Sequence, residues 1–292
     1  MNKGEIFPES KELFKEQPNL TVYLIRHGES GKDKTNPKRG LTDKGRGEVQ
    51  ETILKIAKQI VADELPEFKD WKNKEAYATA LQTALDKVKL FIRDSKTDRT
   101  CEQDWVMNDT LIELGARPDQ IDLPKSAYEW KGEDIPTGAG PGVEKRLKGI
   151  KGIEKEPAFR KKLGDQEYLK ELGAKDEIVA WALTPDDEIP TTVETKTQML
   201  KRKNADMAKV EEAAVWLAGR DQSKRIVYIA NSHASMTSLI AADELGIPLE
   251  QVGEVANAEG VRLDFYGKDK KKTAQPIGNK IEEINNIYNK EK

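Results

Sequence analysis

The chain's two histidines, His27 and His233, each close an apolar, β-branched run: Thr21 to His27 (TVYLIRH) and Ile226 to His233 (IVYIANSH). Runs of that kind read as buried parallel strands, and ligands of open α/β sheets bind beyond the strands' carboxyl ends. Both imidazoles are therefore predicted to face one crevice. The residues around them suit a phosphoryl group, whose negative charge spreads over three oxygens and calls for a nucleophile with several donors. A neutral imidazole at His27 can attack phosphorus and form a phosphohistidine, dividing one hard displacement into two easier ones. Arg26 offers a planar fork of donors to the same phosphate, and Gly28 lets the backbone approach it closely. His233 opens a predicted helix with Ala234 behind it, so it can donate to another oxygen with help from the helix N-terminus.

The elements that must hold these groups follow from periodicity. After the first strand, Thr42 or Asp43 can cap a helix whose apolar face is Val49, Ile53, Ile56 and Ile60. After the second, Met236, Leu239 and Ile240 continue at helical spacing. Between them, Ala76 to Thr79 reads as a short strand running into a helix through Leu81, Leu85, Val88 and Ile92. Leu200, Met207, Val210, Ala214 and Leu217 mark a long helix, Val261 to Tyr266 a late strand, and Ile281 to Tyr288 a last helix. Strands alternating with amphipathic helices predict an α/β fold, a three-layer α/β/α arrangement with a mostly parallel central sheet. The stretch from Gly115 to Glu194 holds seven of the 13 prolines and nine of the 21 glycines, which marks it as a cap or lid insertion, 115–194, within a single domain spanning 1–292. Short helices are predicted in it near Glu154 to Leu172. The run from Lys268 to Thr273 reads as a solvated charge cluster.

Composition removes whole classes of function. Forty-nine Lys and Arg against 52 Asp and Glu leave a net charge of −3, so attraction to phosphate is a local matter and nucleic acid is not an expected partner. Cys101 is the single cysteine, so no disulfide framework forms within the chain and no zinc spacing exists. No apolar run approaches the ~18 residues of a membrane span. The first 20 residues lack the apolar stretch of a signal peptide, which predicts a reducing, cytoplasmic setting. Gly138 to Gly142 matches neither dinucleotide nor P-loop patterns, so no cofactor is expected.

Arg26-His27-Gly28-Glu29-Ser30 resembles the RHG(E) signature of the histidine phosphatase superfamily, the phosphoglycerate mutase-like proteins. Leu41-Thr42-Asp43-Lys44-Gly45 is similar to that family's LTxxG helix start, and Ser232-His233 to its second histidine. The resemblance runs from about Leu20 to Tyr266 apart from the insertion. It points to the first branch, because Glu29 and Ser30 follow Gly28 where the acid phosphatase branch has RHGxRxP. It implies a metal-independent phosphomonoester hydrolase acting on a phosphorylated small molecule or phosphoprotein through a phosphohistidine at His27. It also implies a general acid at Glu113, which is otherwise a solvated loop carboxylate, and a phosphate contact at Asn36. The family's second phosphate-binding arginine lies in an S-x-L-x-R-A pattern after the second strand. The matching stretch is read as Thr79 to Ala84, which puts Thr83, or Thr79 in another register, where arginine is expected. An arginine on a transferring phosphoryl is worth ~10³ to 10⁵ in rate. Three readings follow: a hydrolase whose missing charge comes from Lys32, Lys34 or Arg39, or from Lys145, Arg146 or Lys148 on the lid; a weak or inactive phosphoryl-binding relative; or a mutase-like phosphotransferase. If Arg26 and a protonated His233 are the only cationic groups on the phosphoryl, or if the chain is an inert relative, Thr83→Arg should raise or create activity; if a residue such as Arg39 or Arg146 already supplies the charge, the change should be neutral or harmful.

Overall fold

The register of two strands decides where the histidines go. In the computed structural model, which describes residues 17–31, 39–134, 136–137, 139, 149–218, 224–266 and 271–291, β1 (Leu20–Arg26) lies parallel to β4 (Arg225–Ser232). Leu20 pairs with Ile226 and, at the far end, Arg26 with Ser232. The next residue on each strand is a histidine.

Between these strands the chain forms α1 (Asp43–Glu64), α2 (Lys74–Lys87), β2 (Val88–Arg93), α3 (Asp98–Glu113), β3 (Ile121–Asp122), α4 (Lys125–Lys131), α5 (Pro157–Leu163), α6 (Gln166–Leu172), α7 (Glu177–Leu183) and α8 (Lys196–Ala218). After β4 come α9 (Ala234–Leu245), α10 (Leu249–Val252), β5 (Gly260–Tyr266), β6 (Lys271–Ile277) and α11 (Asn279–Glu291). The six-stranded sheet runs β3-β2-β4-β1-β5-β6. It is parallel from β3 to β1, while β5 and β6 are antiparallel. This is the α/β architecture the alternation of strands and helices predicts.

Strand alternation builds the three layers. Tyr23, Ile25, Val227 and Ile229 face a core formed with Val49, Ile53, Ile56, Ile60, Leu81, Leu85 and Leu111 of α1, α2 and α3. Leu20, Leu24 and Ala230 face the other side, against Met236, Leu239 and Ile240 of α9 and against Phe159, Leu163, Trp181 and Val193. Side chains two apart share a face, so one run of seven residues serves both cores. Chain from the 115–194 stretch thus joins the second core. The same stretch also contributes β3, which pairs with β2 at the sheet edge.

Two expectations are corrected here. Ala76 to Thr79 is helical, part of α2, whose N-terminus Asn73 caps by accepting from the amides of Glu75 and Ala76. The apolar spacing through Leu81 and Leu85 is helical as read, but Val88 and Ile92 belong to β2, where buried Val88, Leu90 and Ile92 alternate with Lys89 and Phe91. The second strand therefore lies a dozen residues later than the sequence reading put it. Lys271 to Thr273 of the charge run are in β6, an edge strand with no fully buried residue. Lysines suit such an edge, since they discourage pairing with another chain.

Candidate active site

Register alone sets the two rings side by side, with centroids 5.5 Å apart and planes at 74°. His27 is buried, its amide donating to the Ser232 carbonyl at 3.0 Å. Its Nδ1 lies 2.8 Å from the Gly28 carbonyl oxygen. A carbonyl only accepts, so Nδ1 carries the proton and Nε2 is left with its lone pair. Burial, then the neighbouring His233 and Arg99, hold His27 well below the usual histidine range, which keeps the ring neutral and nucleophilic at pH 7.

His233 is the N-cap of α9, with Ala234 as the first helical residue. Its Nδ1 lies 3.1 Å from Arg99 Nη2 and its Nε2 3.0 Å from Ser95 Oγ. A guanidinium only donates, so Nδ1 accepts and Nε2 carries the proton toward Ser95.

Arg99 was not anticipated, and it brings an arginine against the ring of His233. It stands in the first turn of α3, and burial followed by the charges of Arg39, Arg160 and Arg26 pushes its pKa down to about 10. Arg99 thus feels the positive charge of three other arginines. The Nε atoms of Arg26 and Arg99 are buried with no hydrogen-bond partner, a costly state for donors unless an anion arrives. The rest of Arg26 is engaged: Nη2 meets Glu254 Oε1 at 2.6 Å and Nη1 donates to the Val255 carbonyl. The sequence did carry a signal for Arg99. Ser95-Lys96-Thr97-Asp98-Arg99-Thr100 follows β2 with serine and arginine at the spacing of the family pattern, and placing the second strand too early hid it.

Thr83 and Thr79 are accordingly no part of the site. Both are exposed on α2 and bond back to helix carbonyls four residues earlier, Thr83 to Thr79 and Thr79 to Glu75. Glu113 is also elsewhere. It is the exposed last residue of α3, and a rise of 1.5 Å per residue places it about 21 Å along the helix from Arg99. Tyr128 packs edge-on against Trp105 at 5.7 Å. Asn36, Lys32, Lys34, Lys145, Arg146 and Lys148 lie outside the described residues.

Glycines explain how α1 closes on this loop. A Cβ at Gly28 would stand 2.4 Å from the Gly45 carbonyl oxygen, and one at Gly45 would stand 2.0 Å from that of Glu29. The LTxxG-like segment works through this contact: Thr42 donates its amide to the Glu29 carbonyl and its hydroxyl accepts the Gly45 amide. Glu102 of α3 clamps the same segment, accepting from the Leu41 amide at 2.7 Å and from Arg46. Arg39 is thereby held two residues from a fixed point. On the other side, a Cβ at Gly149 would lie 3.4 Å from His233 Cβ, so the 115–194 stretch reaches the rings. Among the described residues, no group of three His, Cys, Asp or Glu side chains is placed to hold a metal, and no helix is long and apolar enough to cross a membrane.

No protein-family model matches the sequence, and no curated protein matches it. Among solved structures, the chain is similar to a mycobacterial glucosyl-3-phosphoglycerate phosphatase at 13% identity and a TM-score of 0.43, covering 88% of this chain and 96% of that one. It is also similar to a phosphoglycerate mutase from Bacillus anthracis at 16% identity and 0.44, covering 91% and 96%. A phosphoserine phosphatase from Entamoeba histolytica aligns at 15% identity and 0.37, over 90% and 99%. At that distance they carry nothing about this chain's site, whose chemistry is read from its own residues.

Proposed function

We propose that this chain is a phosphomonoester hydrolase in which His27 Nε2 attacks phosphorus. The observation that carries this reading is the state of His27: a buried neutral ring, its Nδ1–H committed to the Gly28 carbonyl, among arginines with unsatisfied buried donors. In the first step the N–P bond forms as the ester P–O bond breaks, and the leaving oxygen takes its proton from solvent water. In the second, water attacks the phosphohistidine and inorganic phosphate leaves. Arg26 and Arg99 stabilise the charge spread over the equatorial oxygens, which answers the charge deficit that a threonine at the second arginine position would leave. Glu113 cannot supply the leaving-group proton from the far end of α3, so esters of acidic alcohols, which need little protonation, are the substrates to try first. Chain from the 115–194 stretch, which reaches His233 through Gly149, is the part we assign to substrate selection.

The test is phosphate release from p-nitrophenyl phosphate and a panel of esters in the presence of a chelator, with an acid-labile, alkali-stable phosphoenzyme trapped in the quench. His27→Ala should abolish both signals. The distance of Glu113 from the rings favours one second reading, a phosphoryl-binding protein without turnover. Phosphate binding with no hydrolysis of any ester would decide for it.

A further inference from the structure

Behind the site lies a buried chain of side-chain amides that ends on a carboxyl group. Gln103 Oε1 accepts the Gly28 amide at 2.9 Å, Gln103 Nε2 donates to Asn231 Oδ1 at 2.6 Å, and Asn231 Nδ2 donates to Asp104 Oδ1 at 2.5 Å. Gln103, Asn231 and Asp104 are all fully buried, so no water competes for these bonds. The chain has a direction. An amide can face a neighbour with its oxygen or its nitrogen, and the two faces are nearly isosteric. The Asp104 oxygen accepts, so Asn231 must turn its nitrogen toward it. The Asn231 oxygen then faces Gln103, which must offer its nitrogen there and its oxygen to Gly28. One acceptor at the far end fixes both flips, and with them the hold on the Gly28 amide.

We propose that Gln103, Asn231 and Asp104 form a positioning relay that fixes the peptide of Gly28 and, through its carbonyl, the Nδ1–H tautomer of His27. None of the three needs to touch substrate. Gly28 takes the relay through its amide and holds the imidazole through its carbonyl, so both bonds meet in one residue. A residue without a Cβ passes such a constraint through its backbone alone, and closure by Gly45 on the other side limits its freedom to yield. Three elements are tied together this way: the loop after β1, the second turn of α3 and the end of β4. With the relay broken, the Gly28 carbonyl can turn away, the ring is free to place its proton on Nε2, and the nucleophilic lone pair is lost from that atom.

The experiment uses the full chain labelled with ¹⁵N-histidine, where two histidines give two ring systems and leave little overlap. In the unaltered protein the His27 ring should show a protonated Nδ1 and a bare Nε2. Asn231→Leu should convert it to a mixture of tautomers while the His233 signals stay in place, and Gln103→Met, which reaches the same amide from the other side, should do likewise. Leu85→Ala, a core change in α2 away from the relay, should leave both rings as they were and shows that destabilisation alone does not move the tautomer. The kinetic arm rests on the hydrolase reading: kcat for p-nitrophenyl phosphate should fall ~10- to 100-fold, the scale found where outer partners of metal-bound imidazoles are removed, with KM little changed. Absence of turnover in the unaltered protein would overturn the hydrolase and leave the tautomer measurement standing. A His27 ring that keeps its Nδ1–H tautomer in a folded Asn231→Leu or Gln103→Met protein would overturn the relay.

Discussion

Asp104→Asn should make the protein more stable at neutral pH than at acidic pH relative to the unaltered chain. Asp104 is fully buried and spends one oxygen on Asn231. Its other oxygen meets no donor and faces the carboxyl of Asp94, which itself accepts from the Lys96 amide and Ser126 Oγ. Burial, then the charge of Asp94, drives Asp104 well above the carboxylate range. In the unfolded chain the same group ionises near ~3.9. Between those two values the folded protein binds one more proton than the unfolded one, so stability is fully present below the lower value and is lost as pH rises toward the higher. The loss is ~1.4 kcal/mol per pH unit for one proton. Asparagine copies the shape of the protonated acid, keeps an oxygen for Asn231, offers its amide to Asp94 and does not titrate. The difference in unfolding free energy between the variant and the unaltered protein should therefore grow as pH rises from 5 to 7, by at most ~1.4 kcal/mol per unit. Urea titrations at pH 5, 6 and 7 measure it. A difference that is flat with pH, or a variant less stable throughout, would refute the raised Asp104 carboxyl.

Arg99→Met, which keeps much of the length and removes the charge, should lower kcat/KM for p-nitrophenyl phosphate by ~10³-fold or more, the scale of an arginine on a transferring phosphoryl; steady-state kinetics checks it. Thr83→Arg, expected from sequence to raise activity, should instead leave it unchanged and shift stability by no more than ~0.5 kcal/mol, as for exposed sites remote from special features. Gly45→Ala, whose methyl would overlap the Glu29 carbonyl, should cost ~1–3 kcal/mol by overpacking, read as a lowered urea midpoint, and should reduce turnover by displacing the loop behind His27.

The histidine strands were legible because they are short, apolar and β-branched, and because a parallel register carries two ends to the same level. The first helix was legible to its capping residue, since Thr42 and the spacing of Val49, Ile53, Ile56 and Ile60 all point one way. The second strand was not. Leu81, Leu85, Val88 and Ile92 keep helical spacing across a boundary that separates α2 from β2, and apolar periodicity cannot see a boundary that happens to preserve its phase. That single slip directed the search for an arginine to Thr83 and away from Arg99. Glu113 misled for a different reason. A glutamate in a loop and one at the end of a 16-residue helix look alike in sequence, and only the length of α3 shows how far it is from the rings. The relay behind Gly28 lies beyond sequence reading altogether, since Gln103, Asp104 and Asn231 are polar residues that only packing turns into partners.

The strand order has a consequence for how this chain comes into being. β4 sits between β2 and β1, so the first two long strands to be synthesised are not neighbours, and the strand that joins them is made near residue 230. At ~5–20 residues per second a ribosome takes about 10–40 s to cover the roughly 200 residues from β1 to β4. Throughout that interval β1 has neither its parallel neighbour nor β5, and its apolar faces and ladder groups are unsatisfied on both sides. The sheet closes by insertion of a late strand into its middle, a step of high sequence separation and correspondingly slow. A nascent chain of this protein therefore carries a bare strand while it grows, and the two histidines meet only after about four-fifths of the chain has been made, with β5 and β6 still to come.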